Sequence, residues 1–468
     1  LRLQREFLDI SRSPDTQLSI SYDDSNLTHM HAMITGPPMS VYCLGMFDFL
    51  FSFPSDYPTN PPKVTALTTG TLSKRVRFNP NIYATGKVCL SILGTWRGEA
   101  GEQWSAAHGV SSILISIQSL MSDKPYLNEP GHENTKDEVV IENYNRKITH
   151  ETIRVTICDR LEKYLNIEQE STRRTATPPT SGETTTTAPT TAPPPPPPQD
   201  DVDGSNSSIA SSSAESFAHL LGTFCTCRER SPFEDLCKKL FILYYDIYMD
   251  TIEKEVAKGI KDGTRFVRAR FEGQGNGMDG YFEYENLKNR LTKIYAALRE
   301  ETESWVTLSK QWIKNETLVS SNLKHQFDQI TISEEYAENL LIDLQDGNPY
   351  VWLVTITNLH GTKYEDGMFS CKIVFHDSFP EVLPRVQFSC DVFHPNVTND
   401  GVPFYSVKKP EDVRQHLKAL LNIFFGVPDP NPPTHVNLRA AKMFMEGDKG
   451  KKDYNRNCRR SAQKTLEG

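Results

Sequence analysis

The sequence lacks any apolar stretch long enough to cross a bilayer, and no signal-peptide pattern opens it. It also lacks a basic excess, because 51 Lys and Arg stand against 60 Asp and Glu, a formal net charge of −9. That balance argues against nucleic-acid binding as the main activity. We therefore expect neither a membrane nor nucleic acid among the partners. The first residue is Leu1 rather than methionine, which indicates a piece of a longer protein.

The nine cysteines form no repeated Cys-x-x-Cys pairs, and only Cys225 and Cys227 lie close together. Zinc modules need clustered Cys and His ligands, so we expect no metal site and a packing or surface role for that pair. Scattered thiols in odd number are typical of reducing compartments, which predicts the cytoplasm and the nucleus. A chain of 468 residues is too long for one ordinary core and predicts two or three domains.

One cysteine follows an Asn-Pro-Asn turn. Cys89 lies eight residues after Asn81, and Gly86 supplies a second reversal between them. This arrangement places a thiol just past a bend, with an amide side chain folded back near it. Such a thiol can form a covalent thioester, and the amide can bond the oxyanion when that thioester is attacked. The alternative is a half-buried structural cysteine after a loop, and the local pattern leaves both interpretations open.

The residues around this turn predict a helix, antiparallel strands, a proline-rich corner, the cysteine turn and then further helices. Pro14 is expected to end the first helix, and Ser105 is a candidate N-cap for the helix that follows the cysteine. The run at residues 74–77 (Lys-Arg-Val-Arg) is interpreted as a solvated loop rather than a binding patch. After the first helix, the predicted strands are Leu18–Tyr22, Met30–Ile34, Val41–Phe53 and Lys63–Leu67. The predicted helices that follow the cysteine are Val110–Met121 and, in two segments, Glu133–Leu165.

Five short motifs keep a familiar order and spacing across residues 1–168. They are Tyr57-Pro58-x2-Pro61-Pro62, Asn79-Pro80-Asn81, Cys89-Leu90, Trp104-Ser105 and Asn128-Glu129-Pro130. Together they resemble the landmarks of the ubiquitin-conjugating (UBC) family. The run Gly86–Trp96, and Asn79 in place of the usual histidine, are similar to the large Z type of that family, which is charged by the alternative activating enzyme. The resemblance implies an α+β UBC fold, an antiparallel four-stranded sheet flanked by helices.

The resemblance also implies an activity. Cys89 would accept ubiquitin, or a ubiquitin-like modifier, from an activating enzyme and pass it to a lysine amine or a ligase cysteine. ATP is used by the activating enzyme, so no cofactor is expected here. Asn81 is the candidate oxyanion donor, with loop stabilisation as its alternative role. Glu129 lies where the family places an acidic residue facing the cysteine, to orient or desolvate the lysine; its alternative is a solvated loop acid, and Asp123 is a weaker candidate.

Three departures from the family pattern bear on function. Asn79 is expected to weaken the internal bonding of the turn unless Tyr83 or the loop backbone compensates. Residues 59–60 (Thr-Asn) stand where many members carry an aromatic residue used by RING-type ligases. Residues 105–107 (Ser-Ala-Ala) lack the usual proline. We therefore expect weak binding to common ligases, or a choice of partner made by the helical extension.

Composition divides the middle of the chain. Residues 169–215 shift to Thr, Ser and Pro, with six prolines at 193–198, which predicts a disordered spacer or, alternatively, a docking site for an SH3 or WW domain. Helical spacing over Glu234–Ala257 and Tyr284–Trp305 is similar to the C-terminal extension of the Z type. Residues 216–312 are accordingly predicted to be a helical extension, with the spacer inserted ahead of its helices.

The same landmarks return in residues 325–468, which predicts a second UBC fold. The turn reappears as His394-Pro395-Asn396, with Gly401 at the second reversal. Eight residues after Asn396 the chain has Phe404, whose ring cannot form a thioester. We expect an inactive pseudo-enzyme domain that regulates the first copy, either by docking against it or by holding an acceptor ubiquitin.

Two classes of function follow. The first is a conjugating enzyme that transfers the modifier from Cys89 to substrate lysines, usually with a ligase. The second is a non-catalytic ubiquitin-binding scaffold or UBC-variant regulator, in which Cys89 is idle. The complete motif around Cys89 favours the enzyme, and Phe404 confines the scaffold role to the second copy.

Overall fold

The structure, a computed structural model, describes residues 1–12, 17–71, 74–98, 101–167, 231–273, 278–333, 336 and 338–467. Residues 1–167 and 233–468 pack into a single unit. The predictions for Pro14, the Cys225 and Cys227 pair and residues 169–215 lie outside the described residues. Within the described part of the chain, no helix combines the length and apolarity needed to cross a membrane.

An antiparallel four-stranded sheet with the order β1-β2-β3-β4 forms the centre of the first copy. Its strands are β1 (Leu18–Asp23), β2 (Asn26–Thr35), β3 (Met46–Ser52) and β4 (Lys63–Ala66), followed by a short hairpin of β5 (Gly70–Thr71) and β6 (Lys74–Arg75). Its helices are α1 (Arg2–Arg12), α2 (Val110–Leu120), α3 (Glu138–Glu151) and α4 (Arg160–Leu165), the last two joined by a π-helical stretch at Thr152–Asp159. The predicted α+β class and sheet are confirmed.

The longest predicted strand is shorter than expected. Val41–Phe53 was predicted as one strand, but β3 begins only at Met46. The residues before it turn back on themselves, because the Gly36 N–H donates to the Gly45 carbonyl at 2.8 Å and Leu44 adopts a φ of 52°. Apolar composition alone does not separate a buried turn from a buried strand.

The N-terminus of α2 is capped by a distant carboxylate, so the prediction of Ser105 as N-cap is wrong. The Oε2 atom of Glu6, in α1, accepts the Val110 N–H at 2.8 Å and the Tyr57 hydroxyl at 2.7 Å. Ser105 lies in a separate turn before the helix, and its backbone N–H donates to His108. Glu6 thereby ties α1, the proline-rich corner and α2 together.

The helical extension consists of α5 (Glu234–Ala257) and α6 (Tyr284–Lys314), so both predicted helices are confirmed and the second is longer than expected. The two helices pack on each other and on the face of the first copy that carries Met33, Met46 and Ile157. The extension and the first copy therefore share one apolar core.

The second copy repeats the sheet, in the order β10-β9-β8-β7. Its elements are α7 (Leu318–Ile332), β7 (Leu340–Leu344), β8 (Val351–Ile356), β9 (Phe369–Val374), β10 (Arg385–Phe388), α8 (Val413–Phe425), α9 (Leu438–Met445) and α10 (Gly447–Lys464). The predicted boundary at residue 325 falls inside α7. Both copies also have a cis peptide in the proline-rich corner, at Tyr57-Pro58 and at Phe379-Pro380. The predicted second copy of the fold is confirmed.

Candidate active site

Backbone hydrogen bonds fix the position of Cys89. Its N–H donates to the Asn81 carbonyl at 2.8 Å, closing the loop between the turn and the cysteine. Gly86, at the second reversal, has a φ of 88°, and its carbonyl accepts the Ala66 N–H of β4 at 2.8 Å. A Cβ at Gly86 would lie 2.6 Å from the Ala66 carbonyl oxygen, so the turn requires glycine there.

The second copy builds the same turn. The Phe404 N–H donates to the Asn396 carbonyl at 2.7 Å, and Gly401 has a φ of 89°. The Gly401 carbonyl accepts the Phe388 N–H at 2.8 Å, as its counterpart does in the first copy. Phe404 therefore occupies the structural position of Cys89.

Asn79 replaces the usual histidine without loss of the internal bond of the turn, because the loop backbone supplies the compensation that the sequence analysis allowed for. Its Oδ1 accepts the Asn81 N–H at 3.0 Å, and in the second copy the Nδ1 of His394 accepts the Asn396 N–H at the same 3.0 Å. An amide oxygen and an imidazole nitrogen offer a lone pair at the same place. The Asn79 amide also donates to the Leu120 carbonyl at 2.8 Å, which connects the turn to the end of α2.

The Asn81 side chain is oriented by the backbone of the cysteine. Its Nδ2 donates to the Cys89 carbonyl at 3.0 Å, while its buried Oδ1 has no hydrogen-bond partner in the described structure. The loop-stabilising role is therefore realised here. A side-chain amide has two N–H donors, so one remains for an oxyanion beside Cys89. The Cys89 residue itself is only 5% exposed.

Arg77 connects Glu129 to the cysteine turn. An Nη2 atom of Arg77 lies 3.1 Å from the Glu129 carboxylate and 2.5 Å from the Pro80 carbonyl oxygen. The guanidinium carbon lies 4.5 Å from the centre of the Tyr83 ring. With Arg77 3% exposed, the interpretation of residues 74–77 as a solvated loop is wrong at this position. The Pro80 carbonyl, the Tyr83 ring and the Glu129 carboxylate together offset the cost of burying this charge.

Glu129 is an ion-paired residue with a side chain 20% exposed. Its carboxylate is held in one orientation by Arg77, as a residue that orients an incoming lysine needs to be. Asp123, the weaker candidate, is exposed, and its backbone carbonyl accepts an N–H from Asn145 at 2.8 Å. Across the described residues, no cluster of three or more His, Cys, Asp or Glu side chains is arranged to hold a metal ion.

Tyr83 is a neighbour of Cys89 that the sequence did not single out as a site residue. Burial raises the pKa of Tyr83, and a negative charge on the nearby Cys89 raises it further. The hydroxyl therefore keeps its proton and is a hydrogen-bond donor beside the thiol. Its position in the turn, two residues after Asn81, is the sequence signal that could have identified Tyr83 as a site residue.

The helical extension also reaches this site. The guanidinium carbon of Arg77 lies 5.5 Å from the centre of the Phe271 ring, in addition to its contact with Tyr83. Phe271 packs on Tyr126 and Tyr144 of the first copy, with ring centres 5.2 Å and 5.5 Å away. A segment far along the chain thus supports the residue that orients Glu129, and no local pattern pointed to it.

The corresponding site of the second copy is covered by α5. The Tyr244 ring centre lies 6.5 Å from that of Phe404, and the Tyr244 hydroxyl donates to the Pro433 carbonyl at 2.9 Å. Polar contacts continue along the same helix, where Asp246 accepts a hydrogen bond from Asn399 at 2.7 Å. The second copy therefore docks on the extension, which in turn shares a core with the first copy.

This cover leads to a prediction. In a Cys89→Ala background, Phe404→Cys is expected to form no reducing-agent-sensitive adduct with a modifier, because α5 occupies the face that a donor thioester must approach. The measurement is a non-reducing gel after incubation with activating enzyme, ATP and modifier, followed by peptide mapping. An adduct mapped to position 404 would show that the face is open.

The duplicated sheet, corner and turn define two UBC domains in one chain. The sequence pattern described as "Ubiquitin-conjugating enzyme" matches residues 2–152 and 321–462, more than half of the chain. The chain belongs to the ubiquitin-conjugating enzyme family.

Curated relatives match one part of the chain. Ubiquitin-conjugating enzyme E2 Z of Xenopus tropicalis is 51% identical over 162 residues, covering 35% of this chain and 50% of that protein. E2 Z of Homo sapiens is 50% identical over 162 residues, covering 35% of this chain and 44% of that protein. The human dual E2 ubiquitin-conjugating enzyme/E3 ubiquitin-protein ligase BIRC6 is 43% identical over 141 residues, 29% of this chain and 3% of that protein. The matches span half or less of each relative, and the predicted resemblance to the Z type is confirmed.

Proposed function

We propose that the chain carries ubiquitin, or a ubiquitin-like modifier, as a thioester on Cys89 and transfers it to substrate lysines, usually with a ligase. One observation supports this proposal: the two copies build the same turn, and only the first has a nucleophile, Cys89, at the position where the second has Phe404. The proposed partners are the modifier, an activating enzyme (the alternative one included), ligases and protein substrates. ATP is consumed by the activating enzyme, so the chain needs no cofactor, and we place it in the cytoplasm and nucleus.

The charging step exchanges one thioester for another. The Cys89 thiolate attacks the carbonyl carbon that joins the modifier to the cysteine of the activating enzyme. The new C–S bond forms, the old C–S bond breaks, and the activating enzyme's sulfur leaves as a thiolate. Tyr83, whose pKa is raised by burial, keeps its hydroxyl protonated and can donate a hydrogen bond toward the Cys89 sulfur.

The transfer step forms an amide bond. A lysine amine attacks the thioester carbonyl, and the oxyanion accepts the remaining Nδ2–H of Asn81. Glu129, oriented by Arg77, directs the amine and attracts its developing positive charge until the proton is lost to solvent. Collapse of the tetrahedral intermediate expels the Cys89 thiolate and leaves the modifier on the lysine.

The test is a charging assay with a panel of activating enzymes and modifiers in the presence of ATP. The wild-type chain is expected to give an adduct that a reducing agent removes, and Cys89→Ala is expected to abolish it. Cys43→Ala, which removes a partly exposed thiol of the first copy, is the matched control and retains the adduct. No adduct with any activating enzyme, or an adduct that persists in Cys89→Ala, would leave the non-catalytic scaffold as the better account.

A further inference from the structure

A cavity lies between the helical extension and the second copy, separate from the residues around Cys89. Helices α5 and α6 line one side of it, and β9, β10 and the turn at residues 400–405 line the other. Its volume is about 400 Å³, within the range of small-molecule sites. Much of the lining is apolar, with Ile242, Leu298, Val386 and Phe388 among its residues.

The charged groups of the cavity are unbalanced. Four cations and two carboxylates line it: Lys239, Arg299, Lys372, Arg385, Glu303 and Asp400. Three of the cations have acidic partners, because Arg385 lies 2.5 Å from Asp235, Arg299 lies 3.6 Å from Asp400 and Lys372 lies 3.9 Å from Glu303. The Lys239 ammonium group has neither an ion pair nor a side-chain hydrogen bond among the described residues.

Lys239 is instead directed over an aromatic ring. Its Nζ lies 5.0 Å from the centre of the Tyr405 ring, in the wall of the cavity. Burial lowers the pKa of Lys239 to about 8, and the nearby Arg385 charge contributes. A desolvated cation without a counter-ion gains more from an incoming anion than an exposed one does. Asp235, on the same helix, is already bound by Arg385 and by the Leu383 N–H.

We propose that this cavity binds a small organic anion with an apolar body, whose acidic group pairs with Lys239 while its body lies on the apolar lining. The ligand would contact α5 and α6 on one side and the sheet of the second copy on the other. It therefore stabilises the docking of the second copy on the extension. This proposal does not depend on transfer of a modifier by Cys89.

The test uses the full chain and 8-anilinonaphthalene-1-sulfonate, an aromatic anion of suitable size, followed by its fluorescence at about pH 7. Saturable binding is expected, and Lys239→Met is expected to weaken it at least about tenfold, the value of one buried charge-assisted contact. Lys239→Arg keeps a cation at this position and is expected to bind the sulfonate as wild type does. Lys254→Met, which removes an exposed lysine of the same helix that is paired with Asp250, is the matched control and leaves binding unchanged.

Two further measurements distinguish pairing with the Lys239 charge from nonspecific binding of the dye to apolar surface. The neutral analogue N-phenyl-1-naphthylamine is expected to bind wild type and Lys239→Met equally. Binding of the sulfonate by wild type is expected to weaken as pH rises above the Lys239 pKa of about 8, and Lys239→Met is expected to show no such dependence. Equal binding of the sulfonate by wild type and Lys239→Met, or a flat pH profile for wild type, would overturn the proposal. Lys239→Met removes a half-buried charge that has no ion-pair partner among the described residues, so its thermal unfolding midpoint is expected to be no lower than that of wild type.

Discussion

Replacing Gly86 by alanine is expected to slow the charging of Cys89 at least about tenfold, because misplacing a reacting atom by even about 1 Å is costly. The φ of 88° is unfavourable for a residue with a side chain, by about 1–2 kcal/mol. The added Cβ would also lie 2.6 Å from the Ala66 carbonyl oxygen, a backbone atom of β4 that has little freedom to move. The turn must shift, and Cys89 is three residues further along it.

The second copy supplies the matched control for this change. Gly401→Ala meets the same obstacles, a φ of 89° and a Cβ 2.6 Å from the Phe388 carbonyl oxygen. It is expected to cost similar stability and to leave charging at Cys89 unchanged. Single-turnover charging of both variants, with thermal unfolding in parallel, makes the comparison. Equal slowing by the two substitutions would show that general destabilisation, and not the geometry of the cysteine turn, sets the rate.

The features of the site that could be predicted from sequence are local ones. The bend at Asn79–Asn81, the reversal at Gly86 and the thiol at Cys89 lie within eleven residues, and each depends on intrinsic preferences of Asn, Pro and Gly. The repeat at His394–Asn396 exposed the same spacing a second time. Turns of this kind can be predicted from sequence because the preferences of these residues are local and few long-range contacts override them.

The sequence did not predict contacts between site residues and distant segments of the chain. Arg77 resembles a loop cation until Phe271 and Glu129 are placed beside it. The cap of α2 comes from Glu6, more than a hundred residues before it, so the nearby Ser105 was the natural but wrong choice. In each case the deciding neighbour is brought in by packing of separate helices, which periodicity does not encode.

The second copy shows why the turn and the thiol are separable. The backbone bonds of the turn at Asn396 and Gly401 hold the fold together whether or not a nucleophile follows. Once α5 lies on that face, an aromatic residue at position 404 gains contact with Tyr244. Phe404 therefore has a packing role, since it contacts α5 of the extension. Through this contact the second copy and the extension pack together.

The largest expected loss of stability comes from Lys147→Met. The Lys147 ammonium, on α3, lies 2.5 Å from the Glu272 carboxylate of the extension, and both side chains are 0% exposed. Removing one member of a fully buried pair leaves the other charge without compensation and costs about 3–5 kcal/mol. Glu272 is the neighbour of Phe271, so the loss is expected to free that ring from Arg77 and to slow lysine discharge as well. Hydrogen exchange of α3 and single-turnover discharge measure the two effects.

Two comparison variants identify the cause. The double variant Lys147→Met with Glu272→Met removes both charges, and is expected to recover most of the stability because a buried ion pair is often replaceable by apolar residues. Lys288→Met breaks an exposed ion pair inside the extension, the pair of Lys288 on α6 with Glu253 on α5 at 3.6 Å, whose side chains are 41% and 66% exposed. An exposed pair contributes about 0–1 kcal/mol, so this change is expected to leave stability and discharge near those of wild type. If Lys147→Met were as mild as Lys288→Met, the buried pair would not be what holds the extension against the candidate active site.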